Sequence, residues 1–403
     1  MKKPWLLPAL ALLLLLCCAP ALAQEAQDIT DRCAITAAPG KYKLSRLTDR
    51  DYGTCYVSDK QRSPYVQAQA KDALIHGVYV CFGDKVKPWQ VQAEHNGVWE
   101  TVYESDAIYA HAYVPLPSGE SAVRVLPAST AQSVLTISEL FLLGEGDAPA
   151  FVQQWQPAPE KADLMVLAAH PDDEILFFGG TIPYYAGEMR KSVVVVYMTC
   201  GTMERRSELL NGLWEMGVRT YPVIGDFWDK YSKKLNTCYD AWGKTATNKF
   251  LVGLLRQYKP EVVVTHDVNG EYGHGGHRVC ADAMQACVKL AADSAKYTDT
   301  AREYGAWTVK KLYLHLYADG AIEMDWDRPL SAFGGKTGYE VALAGYGWHQ
   351  SQHEAGQKNP KTGKFEVFTV EPRESDYSCY RFGLAYSAVG ADTAGDDFFE
   401  NIP

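Results

Sequence analysis

Residues 164–174 of the chain read Leu-Met-Val-Leu-Ala-Ala-His-Pro-Asp-Asp-Glu. The apolar run at the start of this stretch predicts a strand that is buried on both faces, and Pro171 ends that strand. One imidazole and three carboxylates follow at once, at the carboxyl end of the strand. Because ligands of open α/β sheets bind beyond the carboxyl ends of strands, the stretch predicts an α/β fold with a polar site at its first turn.

Strands and helices alternate downstream of this stretch. The predicted strands cover residues 193–198, 262–265 and 312–317, and the predicted helices cover 175–186, 204–217, 249–258, 277–295 and 339–346. This alternation is typical of a Rossmann-like, mostly parallel sheet with helices on both faces, which we assign to residues 162–403. No Gly-x-Gly-x-x-Gly follows the first strand, so the sequence gives no support for dinucleotide binding.

Residues 28–146 have a different pattern, in which short apolar runs alternate with turn signals. Asn96-Gly97 is a strong hairpin signal, and residues 117–119 (Pro-Ser-Gly) predict a second turn. Several short strands at this spacing predict an all-β sandwich. Residues 147–161 contain three prolines and little regular pattern, and they predict a linker between the two domains.

The N-terminal residues 1–23 predict a cleaved secretory signal. Lys2 and Lys3 precede an apolar stretch, and residues 21–23 (Ala-Leu-Ala) form a small-x-small cleavage site. An uncleaved membrane anchor is the alternative. Pro8, Pro20 and the cleavage site argue against it. We therefore expect a secreted or extracytoplasmic protein without a stable membrane span.

The charge of the chain is acidic. The formal net charge is −10, and removal of Lys2 and Lys3 with the leader would lower it to −12. An acidic balance disfavours nucleic acid and anionic membrane surfaces as partners, and it leaves neutral sugars open.

Eight cysteines follow the predicted leader, three in the sandwich and five beyond it. Exported proteins can keep disulfides, and two odd numbers predict either a free thiol in each domain or one bridge between the domains. The absence of a Cys-x-x-Cys pair from the sequence gives no indication of a cysteine zinc site.

A second polar cluster follows the predicted strand at 262–265. It begins at His266 and ends with His274 and His277, where the next helix is predicted to begin. Since both clusters leave the carboxyl ends of strands, we expect them to converge at one edge of the sheet. Zinc in catalytic sites takes about three protein ligands and keeps a position for water. His170 and one neighbouring aspartate supply two ligands, and this loop supplies a candidate third.

The two clusters together resemble the PIG-L (LmbE-like) family of zinc-dependent N-acetylglucosamine deacetylases. The likeness rests on Ala-His-Pro-Asp-Asp-Glu at 169–174 and on His-x-x-His at 274–277, and it extends over about residues 160–320. Arg205-x-x-Glu208 lies at the family's usual spacing. One departure is Thr-Cys-Gly-Thr at 199–202, where many relatives carry an acidic or Gly-Glu turn that contributes to the substrate side.

The resemblance implies a role for each of seven residues: zinc binding by His170, Asp173 and His277; general-base action by Asp172; stabilisation of the tetrahedral intermediate or protonation of the leaving amine by His274; assistance at the oxyanion by Tyr272; and contact with the acetyl group by Arg205. The function implied is an exported Zn²⁺-dependent hydrolase that removes acetyl groups from N-acetylglucosamine-type sugars with metal-activated water.

The N-terminal domain resembles discoidin-like (coagulation-factor C-type, galactose-binding-like) sandwiches. The likeness rests on residues 47–49 (Leu-Thr-Asp), 89–91 (Trp-Gln-Val) and 135–140 (Leu-Thr-Ile-Ser-Glu-Leu). Domains of this kind often bind carbohydrate through their loops, and a packing or spacer module is the equally open alternative.

The alternative function is that of a glycan-binding protein, such as an adhesin, that retains a zinc site without turnover. The presence of Asp172 argues against it, because a retired catalyst has no need of its base. The sequence also leaves local alternatives open: Arg205 could form a helix-surface ion pair with Glu208, and His315 is expected in the core. Glu174 either orients a ligand or is only an acidic residue of the first helical turn, His266 and Asp267 are expected to be supporting or structural residues, and His349 is a candidate for lining the pocket.

Overall fold

The computed structural model describes residues 24–358 and 363–403. The leader predicted at residues 1–23 lies outside these ranges. Within the described ranges, no helix has both the length and the apolar character that crossing a bilayer requires.

The first domain consists of short strands that pair antiparallel. Its strands in the described residues are β1 Cys33–Ala37, β2 Tyr56–Val57, β3 Gln61–Arg62, β4 Val66–Ala70, β5 Ile75–Phe82, β6 Trp89–His95, β7 Val98–Ser105, β8 His111–Glu120, β9 Ala122–Pro127, β10 Gln132–Ser133 and β11 Thr136–Leu143. The order in one sheet is β1-β4-β9-β6-β7, the order in the other is β2-β11-β5-β8, and β10 pairs with β3. Val80 of β5 and Val91 of β6 share one buried apolar cluster, so the two sheets pack face to face as a β-sandwich.

The hairpin signal at Asn96-Gly97 joins β6 to β7, as predicted. Both residues have positive φ angles, 54° and 83°, and His95 pairs with Val98. The turn predicted at 117–119 is wrong, because β8 runs through these residues. The register between β5 and β8 shifts there, so the glycine and proline residues accommodate an irregularity in a continuous strand.

The second domain alternates strands and helices. Its strands are β12 Leu164–Ala168, β13 Val193–Tyr197, β14 Val223–Ile224, β15 Val262–Thr265, β16 Lys311–His315, β17 Ala321–Glu323, β18 Gly356–Lys358, β19 Phe365–Val367 and β20 Arg381–Ser387. Its helices are α1 Asp173–Leu176, α2 Met203–Glu215, α3 Leu235–Trp242, α4 Lys244–Tyr258, α5 Gly275–Ala292, α6 Thr298–Tyr304 and α7 Gly338–Tyr346.

The main sheet of this domain has the order β14-β13-β12-β15-β16-β20-β17. The strands from β14 to β16 run parallel, and β20 runs antiparallel to β16 and β17. Val166 packs in the apolar cluster on one face, and Leu167 packs in the cluster on the other. Both faces of β12 are therefore buried, which explains its uninterrupted apolar sequence. The parallel strands bring the carboxyl ends of β12, β14, β15 and β16 to one edge.

The helix predicted at 175–186 is interrupted in the structure. The four residues of α1 are followed by a turn at 177–180, after which Thr181 and Ile182 are helical and lead into a π-helix at Pro183–Glu188. Gly180 lies so close to the Trp326 ring that an added Cβ would be 2.0 Å from its Cγ. Close packing at this glycine, followed by Pro183, interrupts the helical periodicity that the sequence suggests.

The sandwich contacts the second domain through a buried polar cluster. His111 of β8 lies 2.9 Å from Gln153 Oε1 in the linker and 3.3 Å from Ser207 Oγ in α2. Gln153 donates to Asn211, also on α2. Arg206 of the same helix donates to the carbonyl oxygen of Phe82. The sandwich therefore packs on the helix whose first turn carries Arg205.

The cysteines of the described residues are all free thiols. Of the two alternatives that the odd numbers left open, the structure contains free thiols in each domain, and no bridge joins the domains within residues 24–358 and 363–403.

Candidate metal centre

Two loops place side chains at the same edge of the parallel sheet. The residues after β12 include His170 and Asp173, and the loop after β15 leads to His277 in the first turn of α5. Asp173 Oδ2 lies 3.1 Å from His170 Nδ1, and Asp173 Oδ1 lies 3.2 Å from His277 Nε2. All three side chains are buried. The structure thus brings together the three residues that were predicted as ligands.

The spacing and chemistry of this group fit a zinc ion. Metal–ligand bonds of about 2.0–2.1 Å in a tetrahedron place neighbouring ligand atoms roughly 3.3 Å apart, close to the two Asp173–histidine separations. Potential ligand atoms within 4.8 Å of one another form two groups, His170 with His274 and His277, and Asp173 with His266 and His277. Burial opposes ionisation of Asp173, but His277 and His170 hold its pKa well below the usual value, so the carboxylate is an anion. One carboxylate and two imidazoles are ligands that zinc accepts, and they leave a fourth position open.

His266 lies close enough to offer an alternative ligand. Its ligand atoms group with those of Asp173 and His277 within 4.8 Å. Both of its ring nitrogens have protein partners, however, because Nε2 accepts from the Ala169 N–H at 3.0 Å and Nδ1 lies 2.9 Å from Glu271 Oε2. The structure therefore gives His266 a supporting position behind the metal ligands. The neighbouring Asp267 side chain accepts from the backbone of its own turn.

Glu271 was not singled out by sequence reasoning, yet it joins three histidines. Its carboxylate lies 2.9 Å from His266 Nδ1, 2.9 Å from His277 Nδ1 and 2.6 Å from His315 Nδ1. The side chain is fully buried, and these histidines hold its pKa well below the usual value although burial opposes ionisation. A carboxylate on Nδ1 leaves Nε2 of His277 facing the centre, as a metal ligand requires. His315, expected in the core, is buried there as part of this network.

Asp172 lies beside the ligands with a strained backbone. Its φ angle is 111°, which non-glycine residues rarely adopt and which costs of order 1–3 kcal/mol. Burial raises the pKa of its carboxyl to about 7, while the Arg205 guanidinium, 3.2 Å away, lowers it. Arg205 also donates to the carbonyl oxygen of Pro171. Arg205 therefore binds Asp172, and the alternative ion pair with Glu208 is not formed.

Glu174 contacts both the backbone of Asp172 and the side chain of His349. Glu174 Oε2 accepts from the backbone N–H of Asp172 at 2.8 Å, and its Oε1 lies 3.3 Å from His349 Nε2. Glu208 accepts from the backbone and the hydroxyl of Ser351, both at 2.6 Å. These carboxylates hold the backbone around Asp172 and connect α2 to the segment that carries His349.

His274 is the cap of α5, and its hydrogen bond indicates its tautomer. Its Nδ1 accepts from the Gly276 N–H at 3.2 Å, so the ring proton is on Nε2. Burial, together with the positive charge of His277 and His170, lowers the pKa of His274 to about 2. The side chain is therefore a neutral hydrogen-bond donor next to the ligand cluster.

Tyr272 lies at the same loop, but its hydroxyl already has an acceptor. It donates to Glu371 in the C-terminal segment, and its ring stacks on Phe368 with centroids 4.7 Å apart. Burial and the Glu371 carboxylate raise its pKa well above the usual value. The structure thus places Tyr272 as a link between the HxxH loop and the C-terminal segment.

Asp229 is a second site residue that sequence reasoning missed. It lies in the loop after β14, and its Oδ1 is 3.5 Å from His170 Nε2. The contact with His170 lowers the pKa of Asp229, although burial opposes this. The available signal was positional, since the loop leaves the carboxyl end of a parallel strand, but β14 has only two residues and no apolar run.

Comparison with known proteins finds a family match within the α/β domain. Residues 165–288 match the family model described as PIG-L: GlcNAc-PI de-N-acetylase. Residues 165–288 are a PIG-L domain. This PIG-L domain contains all seven residues to which the sequence assigned a role.

The chain is similar to curated deacetylases. It is 29% identical over 195 residues to 1D-myo-inositol 2-acetamido-2-deoxy-alpha-D-glucopyranoside deacetylase 1 of Frankia casuarinae, with 41% of this chain and 62% of the relative covered. It is 29% identical over 191 residues to the enzyme of the same name in Catenulispora acidiphila, with 37% and 54% covered. The chain thus spans between 54% and 62% of the length of these two relatives.

Two solved structures overlay on parts of the chain. The conserved protein TT1542 from Thermus thermophilus is 22% identical and covers 48% of this chain and 80% of its own, with a TM-score of 0.35. The family 32 CBM from C. perfringens NanJ, in complex with galactose, is 13% identical and covers 29% and 98%, with a TM-score of 0.25.

Proposed function

We propose that the protein is an exported, zinc-dependent deacetylase that hydrolyses the acetamide of an N-acetylglucosamine-type sugar. The observation that carries the proposal is that buried Asp173 contacts both His170 and His277, next to Asp172. The PIG-L match supports it, as do relatives whose names describe deacetylases of a glucosamine–inositol compound. Hydrolysis adds one water across the amide, and the products are acetate and the free amino sugar.

In this proposal His170, Asp173 and His277 hold the zinc ion. When bound there, zinc supplies a Lewis acid and lowers the pKa of a water molecule to about 7. Glu271 orients the His277 ring, and Asp229 contacts the His170 ring from the other side. These carboxylates fix the directions of the ligand nitrogens before the substrate arrives.

Asp172 acts as the general base. It accepts a proton from the attacking water while the water oxygen bonds to the acetyl carbon, and that proton is then available to the nitrogen as the C–N bond breaks. Arg205 holds one carboxylate oxygen, so the side chain keeps a fixed direction.

His274 and Arg205 meet the acetyl group. The Nε2–H of His274 donates to the oxygen that becomes negative, an effect worth roughly 3–4 kcal/mol for a well-placed donor. Arg205 Nε is buried and has no hydrogen-bond partner among the described residues, so it offers a further donor to the acetyl oxygen or to acetate. Tyr272, bound to Glu371, fixes the loop that carries His274.

A substrate panel with two variants tests the proposal. The purified chain is assayed for zinc content and for acetate release from N-acetylated mono- and oligosaccharides, with and without a chelator. We expect the chelator to abolish acetate release and His277→Ala to lose both zinc and activity. Asp172→Asn should keep zinc and lose activity by about 10²- to 10⁴-fold.

The control and the contradicting outcomes are distinct. His95→Ala removes an exposed histidine of the sandwich and should change neither readout. Acetate release by His277→Ala at the wild-type rate would overturn the ligand assignment. Zinc binding by the wild type without acetate from any glycan would favour the glycan-binding alternative.

Export is a separate part of the proposal, and the sequence of residues 1–23 supports it. Expression of the full sequence in a secretion-competent host should deliver a protein outside the cytoplasm that begins at Gln24. Mass spectrometry of the N-terminal peptide measures this, and a secreted product that retains Met1 would contradict cleavage.

A further inference from the structure

Two large aromatic side chains are exposed beside the metal centre. Trp228 and Tyr231 are 68% and 69% exposed, and both lie in residues 225–234, the loop that leaves β14. The Tyr231 ring centroid lies 5.2 Å from that of His274, and Asp229, between the two aromatics in sequence, contacts His170. The Tyr231 ring therefore lies at the edge of the site, and Trp228 precedes Asp229 in the chain; the mechanism above assigns neither aromatic a role.

The backbone of this loop is held in place although its side chains are exposed. Trp242 Nε1 donates to the carbonyl oxygen of Trp228 at 2.9 Å, and Arg278 donates to that of Lys233 at 3.1 Å. The Gly275 N–H donates to the carbonyl oxygen of Ser232 at 2.6 Å. The loop is thus bound to α3 and to the first turns of α5, so the backbone that carries the two aromatics has a fixed position relative to His274.

Gly275 makes this attachment possible. A Cβ at that position would lie 2.6 Å from the Ser232 carbonyl oxygen and 2.7 Å from Cys238 Sγ. Only glycine therefore lets the loop approach the HxxH turn this closely. The sequence between His274 and His277 thus serves the position of the loop as well as that of the ligands.

Exposed aromatic rings on a loop with a fixed backbone, next to the proposed deacetylase site, suit a sugar ring as their ligand. The face of an aromatic ring is negatively polarised and apolar, and it attracts the C–H face of a sugar ring. Lys230 Nζ lies 5.3 Å from the centre of the Trp228 ring and so occupies at most one of its faces. A free acetamido sugar in the centre would not need contacts outside it, whereas a longer glycan would.

We propose that Trp228 and Tyr231 form a stacking platform for the sugar ring next to the N-acetylated one, so that the enzyme prefers oligosaccharides to monosaccharides. The inference rests on the proposed deacetylase function and adds the size class of its substrate. The platform consists of Trp228 and Tyr231 on the loop at 225–234, and the acetylated ring lies beyond Tyr231, next to His274.

Binding and turnover of two probes test the platform. The probes are N-acetylglucosamine and tri-N-acetylchitotriose, and binding is measured by calorimetry in the Asp172→Asn background, where turnover is suppressed. We expect Trp228→Ala and Tyr231→Ala each to weaken chitotriose binding about tenfold. In the otherwise unchanged enzyme, the same substitutions should lower kcat/KM for chitotriose relative to N-acetylglucosamine by a similar factor. Trp228→Phe should restore most of the loss.

A matched aromatic control excludes a general effect of losing a ring. Tyr304 ends α6, which precedes the amino end of β16 and so lies at the opposite edge of the sheet. Tyr304→Ala should leave the binding and turnover of both probes unchanged, as well as the zinc content. Zinc content and the unfolding temperature, measured for each platform variant, show that the loop substitutions leave the fold intact.

The outcomes separate this inference from the proposed function. A wild type that releases no acetate from any probe contradicts the proposed function. A wild type that releases acetate, with Trp228→Ala and Tyr231→Ala showing unaltered chitotriose binding and selectivity, overturns the platform alone. Trp228-dependent binding to phosphatidylglycerol vesicles in place of chitotriose would likewise overturn it, because exposed Trp and Lys also suit a membrane surface.

Discussion

Glu271 contacts three histidines at the site, although it touches no substrate in the proposed mechanism. Its two carboxylate oxygens contact the Nδ1 atoms of His266, His277 and His315. Replacing Glu271 with Gln removes the negative charge and converts one acceptor into a donor that opposes a ring N–H. We expect zinc affinity to fall by about 10- to 100-fold, as for other carboxylates that orient a ligand histidine.

Competition with a chelator of known affinity measures this loss. Glu261→Gln is the matched control, because Glu261 bonds Lys161 before β15 begins, at the opposite edge of the sheet, and should leave zinc affinity unchanged. Equal zinc affinities in Glu271→Gln and in the wild type would show that the histidines keep their orientation without this carboxylate.

At the scale of elements, alanine substitutions at two glycines are expected to have opposite effects on the stability of the fold. An alanine Cβ at Gly180 would lie 2.0 Å from Trp326 Cγ, and the overlap should destabilise the fold by about 1–3 kcal/mol. An alanine Cβ at Gly253, within α4, would meet only Thr300 Cγ2 at 3.7 Å, so the higher helix propensity of alanine should stabilise by up to about 1 kcal/mol. Thermal unfolding of the two variants should shift in opposite directions, and a Gly180→Ala variant as stable as the wild type would contradict the tight packing.

The same packing explains what the sequence could and could not predict. The strands β12, β13 and β15 were predicted within one residue at each end, because buried parallel strands have continuous apolar sequences. β8 was missed because its prolines suggest a turn. The interruption of the helix predicted at 175–186 was missed because Trp326, which packs against Gly180, is far away in sequence.

The site shows the same contrast between features set by local sequence and features set by contacts between distant residues. The predicted ligands His170, Asp173 and His277 stand in short motifs with recognisable residue types, so the sequence alone suggests them as candidates. Glu271 and Asp229 are single carboxylates whose partners come from other strands, and only the fold brings them to the histidines. Local sequence determines which groups can bind a metal, whereas tertiary contacts determine which groups orient them.

At the scale of the whole molecule, the sandwich and the PIG-L domain meet through a histidine that resists protonation. Burial lowers the pKa of His111 from 6.5 to about 3, although its hydrogen bond to Gln153 opposes this. The unfolded chain takes up a proton near pH 6.5 and the folded chain does not, so folding is favoured above that pH. The stability that His111 contributes is therefore lost as the pH falls from about 6.5 toward 3.

Replacing His111 with Asn removes this titration while keeping one donor and one acceptor for Gln153 and Ser207. We expect the variant to be less stable than the wild type at pH 7.5, and the difference to shrink by a few kcal/mol as the pH falls toward 4. Thermal unfolding between pH 4 and 7.5 measures it. His95→Asn is the control of opposite sign, because hydrogen bonds to Glu100 and Glu120 raise the pKa of His95, so its contribution is present at low pH. A pH profile of His111→Asn parallel to that of the wild type would show that His111 has the same pKa in the folded and the unfolded chain, and that acid does not loosen the sandwich from α2 through this residue.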